Sequence, residues 1–208
     1  MLRIITVAYE KQIELRGLID SFLLQTYPNW EMDIVHDGPA SKEYIRFLKN
    51  IYGLNIKTGE FTDKRIRYWE SEKRYHTKEN PTWGHPNRGA MLKQLKGKKD
   101  DFVLITNDDN YYVPKFIEYF MEVITPEIGL VYCDTVHSHS GYKINYSRIK
   151  EHCIDMGAFI VRLDIAQETG FNHTCFSADG KYCEECNANL VSKGLKSFYI
   201  PKTLFVHN

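Results

Sequence analysis

The chain has 208 residues, 43% of them hydrophobic, with 27 basic residues against 27 acidic ones and a formal net charge of zero. That length and apolar content are enough for one domain with its own core. A balanced charge gives no global field toward nucleic acid or an anionic membrane surface, so neither is an expected partner. The first apolar run is broken by a polar residue after a few positions, and no later run approaches the roughly 20 apolar residues of a membrane span. A soluble, cytoplasmic protein without a transmembrane segment is the expectation. Five cysteines, at 133, 153, 175, 183 and 186, are an odd and scattered set that reads as free thiols. The Cys183/Cys186 pair lacks the second pair that structural zinc needs.

Short apolar runs alternate with helical patterns, the order of a mostly parallel sheet covered by helices. Residues 3–8, RIITVA, read as a buried first strand. Leu15, Leu18, Ile19, Phe22 and Leu23 then recur at three-four spacing and predict an amphipathic helix over 12–26. A second strand, 31–36, stops at the turn signal Asp37-Gly38-Pro39, and Ile45, Leu48 and Ile51 mark a helix closed by Gly53. A third strand, 65–70, leads into a polar stretch from Ser71 to Asn87 without a period, read as a mobile or ligand-covering loop. Residues 88–97 predict a short helix and DFVLIT a fourth strand, and Phe116, Ile117, Phe120, Met121 and Ile124 give the next helix its core face. GLVYCD, GAFIVR, SFYIP and TLFVH supply four later strands.

In sheets of this kind ligands gather beyond the carboxyl ends of the strands, where Asp37, Asp108 and Asp134 are expected. Adjacent strand residues point opposite ways, so Asp108 and Asp109 face one ligand only if the chain turns there, as Asn107 and Asn110 favour. Carboxylates with little basic sequence nearby suit a hard divalent ion, Mg²⁺ or Mn²⁺, which keeps water and takes phosphate oxygens as well. A nucleoside diphosphate is the natural companion ligand.

Four separate segments extend this reading. ITVAYEKQIELRGLIDSFLLQTYPNWEMDIVHDGP, HPNRGAMLKQLKGKKDDFVLITNDDN, DMGAFIVRLDIAQETGF and VSKGLKSFYIP with LFVHN together resemble the family-2 glycosyltransferases. The resemblance implies a single GT-A domain, a Rossmann-like α/β fold with a mostly parallel central sheet flanked by helices. It also implies a nucleotide-binding part over about 1–110 and an acceptor-binding part over about 111–208. It assigns Asp37 and Arg67 to the uracil edge, Thr6, Ala8 and Tyr9 to the other wall of the base pocket, and Asp108 to the ribose or to a supporting contact behind the metal ligand. Asp109 and His207 become ligands of Mg²⁺ or Mn²⁺, and His85 and Arg88 reach the diphosphate or donor sugar. His137 and His139 fall on the acceptor side and read as a solvated loop.

The implied reaction is transfer of a sugar with inversion from a nucleotide-sugar donor, a UDP-sugar, to a hydroxyl of a carbohydrate or other acceptor in glycan or polysaccharide synthesis. Its base is sought among Asp179, Glu185 and Glu184, with Asp179 preferred because Asp179-Gly180 reads as a turn ahead of a helix. A sugar nucleotidyltransferase would share the sheet and the carboxylates. It would also show a Gly- and Lys-rich phosphate loop after the first strand, which TVAYEKQ lacks. A non-catalytic nucleotide-sugar binding module would keep the same carboxylates without a base.

Overall fold

The computed structural model describes residues 1–208. Four strands, β1 (Leu2–Ala8), β2 (Trp30–His36), β3 (Ile66–Glu70) and β4 (Phe102–Asn107), lie parallel in the order β3-β2-β1-β4. Their burial is continuous, with Leu2, Ile4, Ile5, Met32, Ile34 and Leu104 fully enclosed, as strands covered on both faces require. The sheet continues through β5 (Tyr111–Tyr112), β6 (Ile128–His137), β7 (Lys143–Asn145), β8 (Phe159–Arg162) and β9 (Lys196–His207). The order beyond β4 is β8-β6-β9-β5, with β7 on the edge of β6. β8 runs antiparallel to β4 and β6, whereas β6 and β9 are parallel. The sheet is thus mixed but mostly parallel, as expected.

Six helices flank it: α1 (Gln12–Leu23), α2 (Lys42–Tyr52), α3 (His85–Gln94), α4 (Phe116–Glu122), α5 (Leu163–Thr169) and α6 (Ala178–Ser192). α1 buries Leu15, Leu18, Ile19 and Phe22 and stops three residues short of the expected end. α2 opens on Ser41, whose hydroxyl accepts from the Tyr44 amide at 3.1 Å, and closes on Gly53 at φ 69°. Such a serine cap contributes about 1 kcal/mol. α3 begins at His85, three residues before its predicted start, because Gly84 at φ 73° turns the chain into it. A Cβ on Gly84 would meet Val7 Cγ1 at 2.7 Å, so the glycine also lets α3 approach the end of β1.

The two predicted closing strands are one. Pro201, which has no amide hydrogen to donate, sits in a bulge where the β6 partner steps from Cys133/Ile200 to Asp134/Thr203, and β9 continues beyond it. β6 likewise runs three residues past Asp134. That residue is therefore not at a strand end, and its carboxylate accepts from the Ser147 amide at 2.8 Å and the Tyr199 hydroxyl at 2.7 Å.

Candidate active site

A cavity of about 720 Å³ opens over the carboxyl ends of β1, β2 and β4 and continues past the far ends of β6 and β9. The turn after β4 places two carboxylates differently. Asp108 points inward, 7% exposed, and accepts from the Tyr9 amide at 3.1 Å. Asp109 pairs with Lys11 Nζ at 2.7 Å. Asn110, fully buried, fixes the turn by donating from Nδ2 to Thr106 Oγ1 at 3.0 Å. Burial, and then the charge of Asp109, pushes the Asp108 carboxyl up to about 7.

That shift has a sign. An unfolded aspartate titrates near 3.9, so the folded chain carries a growing penalty for the buried charge as pH rises from about 4 to about 7. Asp108→Asn is expected to stabilise the ligand-free protein at pH 8 by on the order of 1 to 4 kcal/mol, with the gain fading toward pH 4. Urea unfolding of both proteins in EDTA across this range checks it, and a gain that did not shrink at low pH would contradict it.

Arg88, on the first turn of α3, lies almost wholly buried on the same cavity. Its guanidinium donates to the Trp83 carbonyl, to His85 Nδ1 at 2.7 Å and to Asn107 Oδ1 at 2.5 Å, while Nε has no partner. It makes no ion pair; desolvation lowers its pKa, and the charges of Asp179, Asp108, Asp109 and Asp37 oppose that. Burial, and then Arg88, holds His85 down to about 3, so this imidazole is neutral and accepts from the guanidinium. A buried cation without a carboxylate partner suits an incoming anion.

Asp37 lines the cavity, but its carboxylate is already engaged. It accepts from the Tyr75 amide at 3.0 Å, the His76 amide at 3.0 Å and Asn87 Nδ2 at 2.7 Å. The 71–87 stretch, expected to be a mobile or ligand-covering loop, is thereby fastened to the end of β2. The same stretch sends Arg74 over the Tyr9 ring, 3.6 Å from its centroid, with Nη1 donating to the Tyr9 hydroxyl at 2.8 Å. Ala8 and Tyr9 line the cavity and Thr6 lies behind them, fully buried.

Arg67 is not brought to the site. The β2/β3 register sets it opposite Asp33, four residues before Asp37, where it forms a two-pronged pair at 2.9 Å and 2.9 Å and a second contact with Glu31 at 3.2 Å. Trp69 Nε1 completes the set on Asp33 at 2.8 Å. This is a clamp between strands, and the uracil role expected of Arg67 is corrected accordingly.

Of the three candidate bases, Asp179 alone lines the cavity. It lies on the first turn of α6 rather than in a turn before it. Gly180 follows for close packing, since a Cβ there would meet Glu151 Cα at 2.7 Å. Asp179 accepts from the Met156 amide at 3.2 Å. Burial pushes its carboxyl up to about 6, opposed by Arg88 and assisted by Asp155. Glu185 turns away to His173 Nε2 at 2.8 Å, and Glu184 does not reach the cavity. The site does not include these two glutamates.

The end of the cavity past β6 and β9 gathers His137, which the sequence reading left as loop, His207, which it gave to a metal ion, and Asp155, to which it gave no role. Asp155 Oδ2 meets His137 Nε2 at 2.7 Å, and its Oδ1 lies 4.0 Å from His207 Nδ1. Phe176, 77% exposed, packs edge-on to Trp83 at the mouth, 6.0 Å between centroids. No signal in the local sequence marks Asp155 or Arg74, because their neighbours come from distant strands and loops.

The residues present fit a hard divalent ion. Asp109 offers carboxylate oxygen, and His207 Nδ1 is a buried nitrogen without a hydrogen bond that senses the Asp109 charge. No three His, Cys, Asp or Glu side chains stand as a ready-made cage, so an ion on these two would complete its shell with water and phosphate.

Three crystal structures of S. aureus TarS share the fold at 14% identity. The 1–349 fragment has a TM-score of 0.74, covering 100% of this chain and 60% of that one. Its UDP complex has a TM-score of 0.72, covering 99% and 60%, and its UDP-GlcNAc complex one of 0.73, covering 99% and 58%. The chain thus spans about 60% of the length of these neighbours. No curated protein matches its sequence. A family model does, over residues 3–179, from the first strand through the acidic turn and Arg88 to the carboxylate that heads α6, and by that match the chain belongs to glycosyl transferase family 2.

Proposed function

We propose that the chain transfers a sugar, with inversion, from a UDP-sugar to an acceptor hydroxyl in glycan or polysaccharide assembly. The observation that carries this reading is the presence of Asp179, raised to about 6, in the same cavity as Arg88 and the Asp108-Asp109 turn. On this reading Asp179 is the base and Arg88 with the acidic turn meets the departing diphosphate, whereas a binding module needs only the latter. The UDP and UDP-GlcNAc complexes of TarS support the choice of donor.

In this mechanism Asp179 takes the proton of the acceptor hydroxyl as its oxygen attacks the anomeric carbon. The bond from that carbon to the diphosphate breaks on the opposite face, and the negative charge gathers on the leaving oxygen. Arg88, held by Asn107 and His85 at the β4 end of the cavity, stabilises that charge without having to reorganise. Asp109 and His207 would hold Mg²⁺ or Mn²⁺, which supplies further charge neutralisation when bound. Tyr9 and Arg74 present flat faces to the base, and Asp108 faces the ribose. Trp83 and Phe176 exclude water at the mouth.

No helix is long and apolar enough to cross a membrane. Thermal unfolding with UDP, GDP and CDP, each with Mn²⁺, tests the donor class, because a ligand at 100 times its Kd stabilises by about 2.7 kcal/mol. UDP is expected to give the largest rise, and slow release of UDP from UDP-sugars is expected beside it. Equal shifts with all three nucleotides, or none, would remove the reading.

A further inference from the structure

Two aromatic side chains meet at the mouth of the cavity with little to cover them. Phe176 is 77% exposed and Trp83 40%, and their rings stand edge to face with 6.0 Å between centroids. Tyr9, the remaining Phe, Tyr or Trp on the cavity, has one face covered by Arg74. Large flat apolar groups left open together at the rim of a site mark a place where a ligand docks.

The backbone holds the indole there under strain. Trp83 has φ 49°, a left-handed conformation that a bulky side chain seldom adopts. Two residues of the cavity fasten it: the Trp83 amide donates to His76 Nδ1 at 2.9 Å, and the Trp83 carbonyl accepts from Arg88. Such strain persists where neighbours over-determine it, and it clusters at sites that grip a ligand. Phe176 comes from the opposite wall, on the turn that leads into α6, three residues before Asp179. The pair thus joins the segment that carries Arg88 to the one that carries the candidate base.

A pyranose ring fits this corner. Its axial C–H bonds make a flat, faintly positive face that lies against the negative face of an aromatic ring, while its rim of hydroxyls needs polar partners. Such partners adjoin the pair: the rings of His76 and His85 are centred 6.1 Å and 6.2 Å from Trp83, and Asp179 follows Phe176. An open-chain polyol or an alkyl alcohol has no such face. On the proposed function the diphosphate draws the donor sugar inward to the buried Arg88, whereas Phe176 faces the solvent from which an acceptor enters.

We infer that Trp83 and Phe176 form a stacking platform for a pyranose ring of the acceptor, so that the acceptor is a glycan and not a polyol or a lipid alcohol. This rests on the transfer reading above and adds to it the ring that is recognised.

Saturation-transfer NMR on the chain in UDP and Mn²⁺ tests it. The probes are methyl pyranosides and disaccharides of glucose, galactose, mannose and N-acetylglucosamine, with sorbitol as the open-chain control. At least one pyranoside is expected to receive saturation at its ring C–H protons, and sorbitol none. Phe176→Ala and Phe176→Leu are expected to weaken that binding roughly 10-fold, whereas Phe176→Tyr, which keeps the flat ring, should bind as wild type. Phe176 lies outside the core, and a thermal melt checks that each variant is folded. Calorimetry of UDP on each protein separates the two readings. Wild type that binds no UDP removes the transfer reading and the platform with it. UDP binding with no pyranoside bound, with sorbitol bound equally, or with undiminished pyranoside binding in Phe176→Leu overturns the platform alone. So does a loss in Phe176→Ala confined to UDP-GlcNAc relative to UDP, which would give the rings to the donor sugar.

Discussion

Asp179→Asn is expected to lower turnover by roughly 10²-fold or more while leaving UDP affinity nearly intact. An amide keeps the size of the side chain and can still accept from the Met156 amide, so α6 has no reason to shift. What it loses is the capacity to take a proton. Because the Asp179 carboxyl is pushed up to about 6, wild-type kcat should fall as pH drops through that value and level off above it. The variant should lack that limb. Single-turnover transfer across pH 5 to 8, with calorimetry of UDP beside it, reads both effects. A variant that kept the wild-type rate while Glu185→Gln was inactive would shift the base to a residue that the structure turns toward His173.

Asp109→Asn is expected to weaken UDP binding in Mn²⁺ by roughly 10²-fold and to change it little in EDTA. The contrast between the two conditions is the diagnostic, since a general electrostatic change would appear in both. His207→Ala should behave similarly with a smaller loss. Calorimetric UDP affinity that is the same for wild type in EDTA and in Mn²⁺ would dispose of the ion's role and leave Arg88 as the counter-charge.

Much of this was legible in the sequence because it depends on local periods. The face of α1, the parallel strands of the first half and the turn at Asn107-Asp108-Asp109-Asn110 follow from spacing and turn chemistry alone. β5 and β7 escaped because two or three residues carry no period, and β9 was split because Pro201 reads as an ending when it is a bulge. Arg67 was misplaced for a different reason. Alternation tells which face a strand residue takes but not which residue lies across from it, and the register gives that arginine to Asp33. The end of the cavity past β6 and β9 was least legible, since Asp155 joins His137 across 18 positions and His207 joins them only through the β6–β9 pairing.

The ion pair between Lys11 and Asp109 has a further meaning for how the cavity is loaded. Burial alone would lower the lysine's pKa, but the hydrogen bond and charge of Asp109, with the charges of Asp108 and Glu14, together outweigh it and raise it, so the ammonium stays charged throughout the neutral range. The carboxylate therefore has a resident monovalent counter-charge, carried on the residue that caps α1. On the proposed function, a divalent ion arriving at Asp109 exchanges with that ammonium, and the net gain at the carboxylate is one unit of charge, not two. The displaced Lys11, half exposed and on a flexible stem, becomes a second cation beside the diphosphate at the moment the first is installed. Ion and nucleotide are then coupled through one side chain, each favouring the other's arrival.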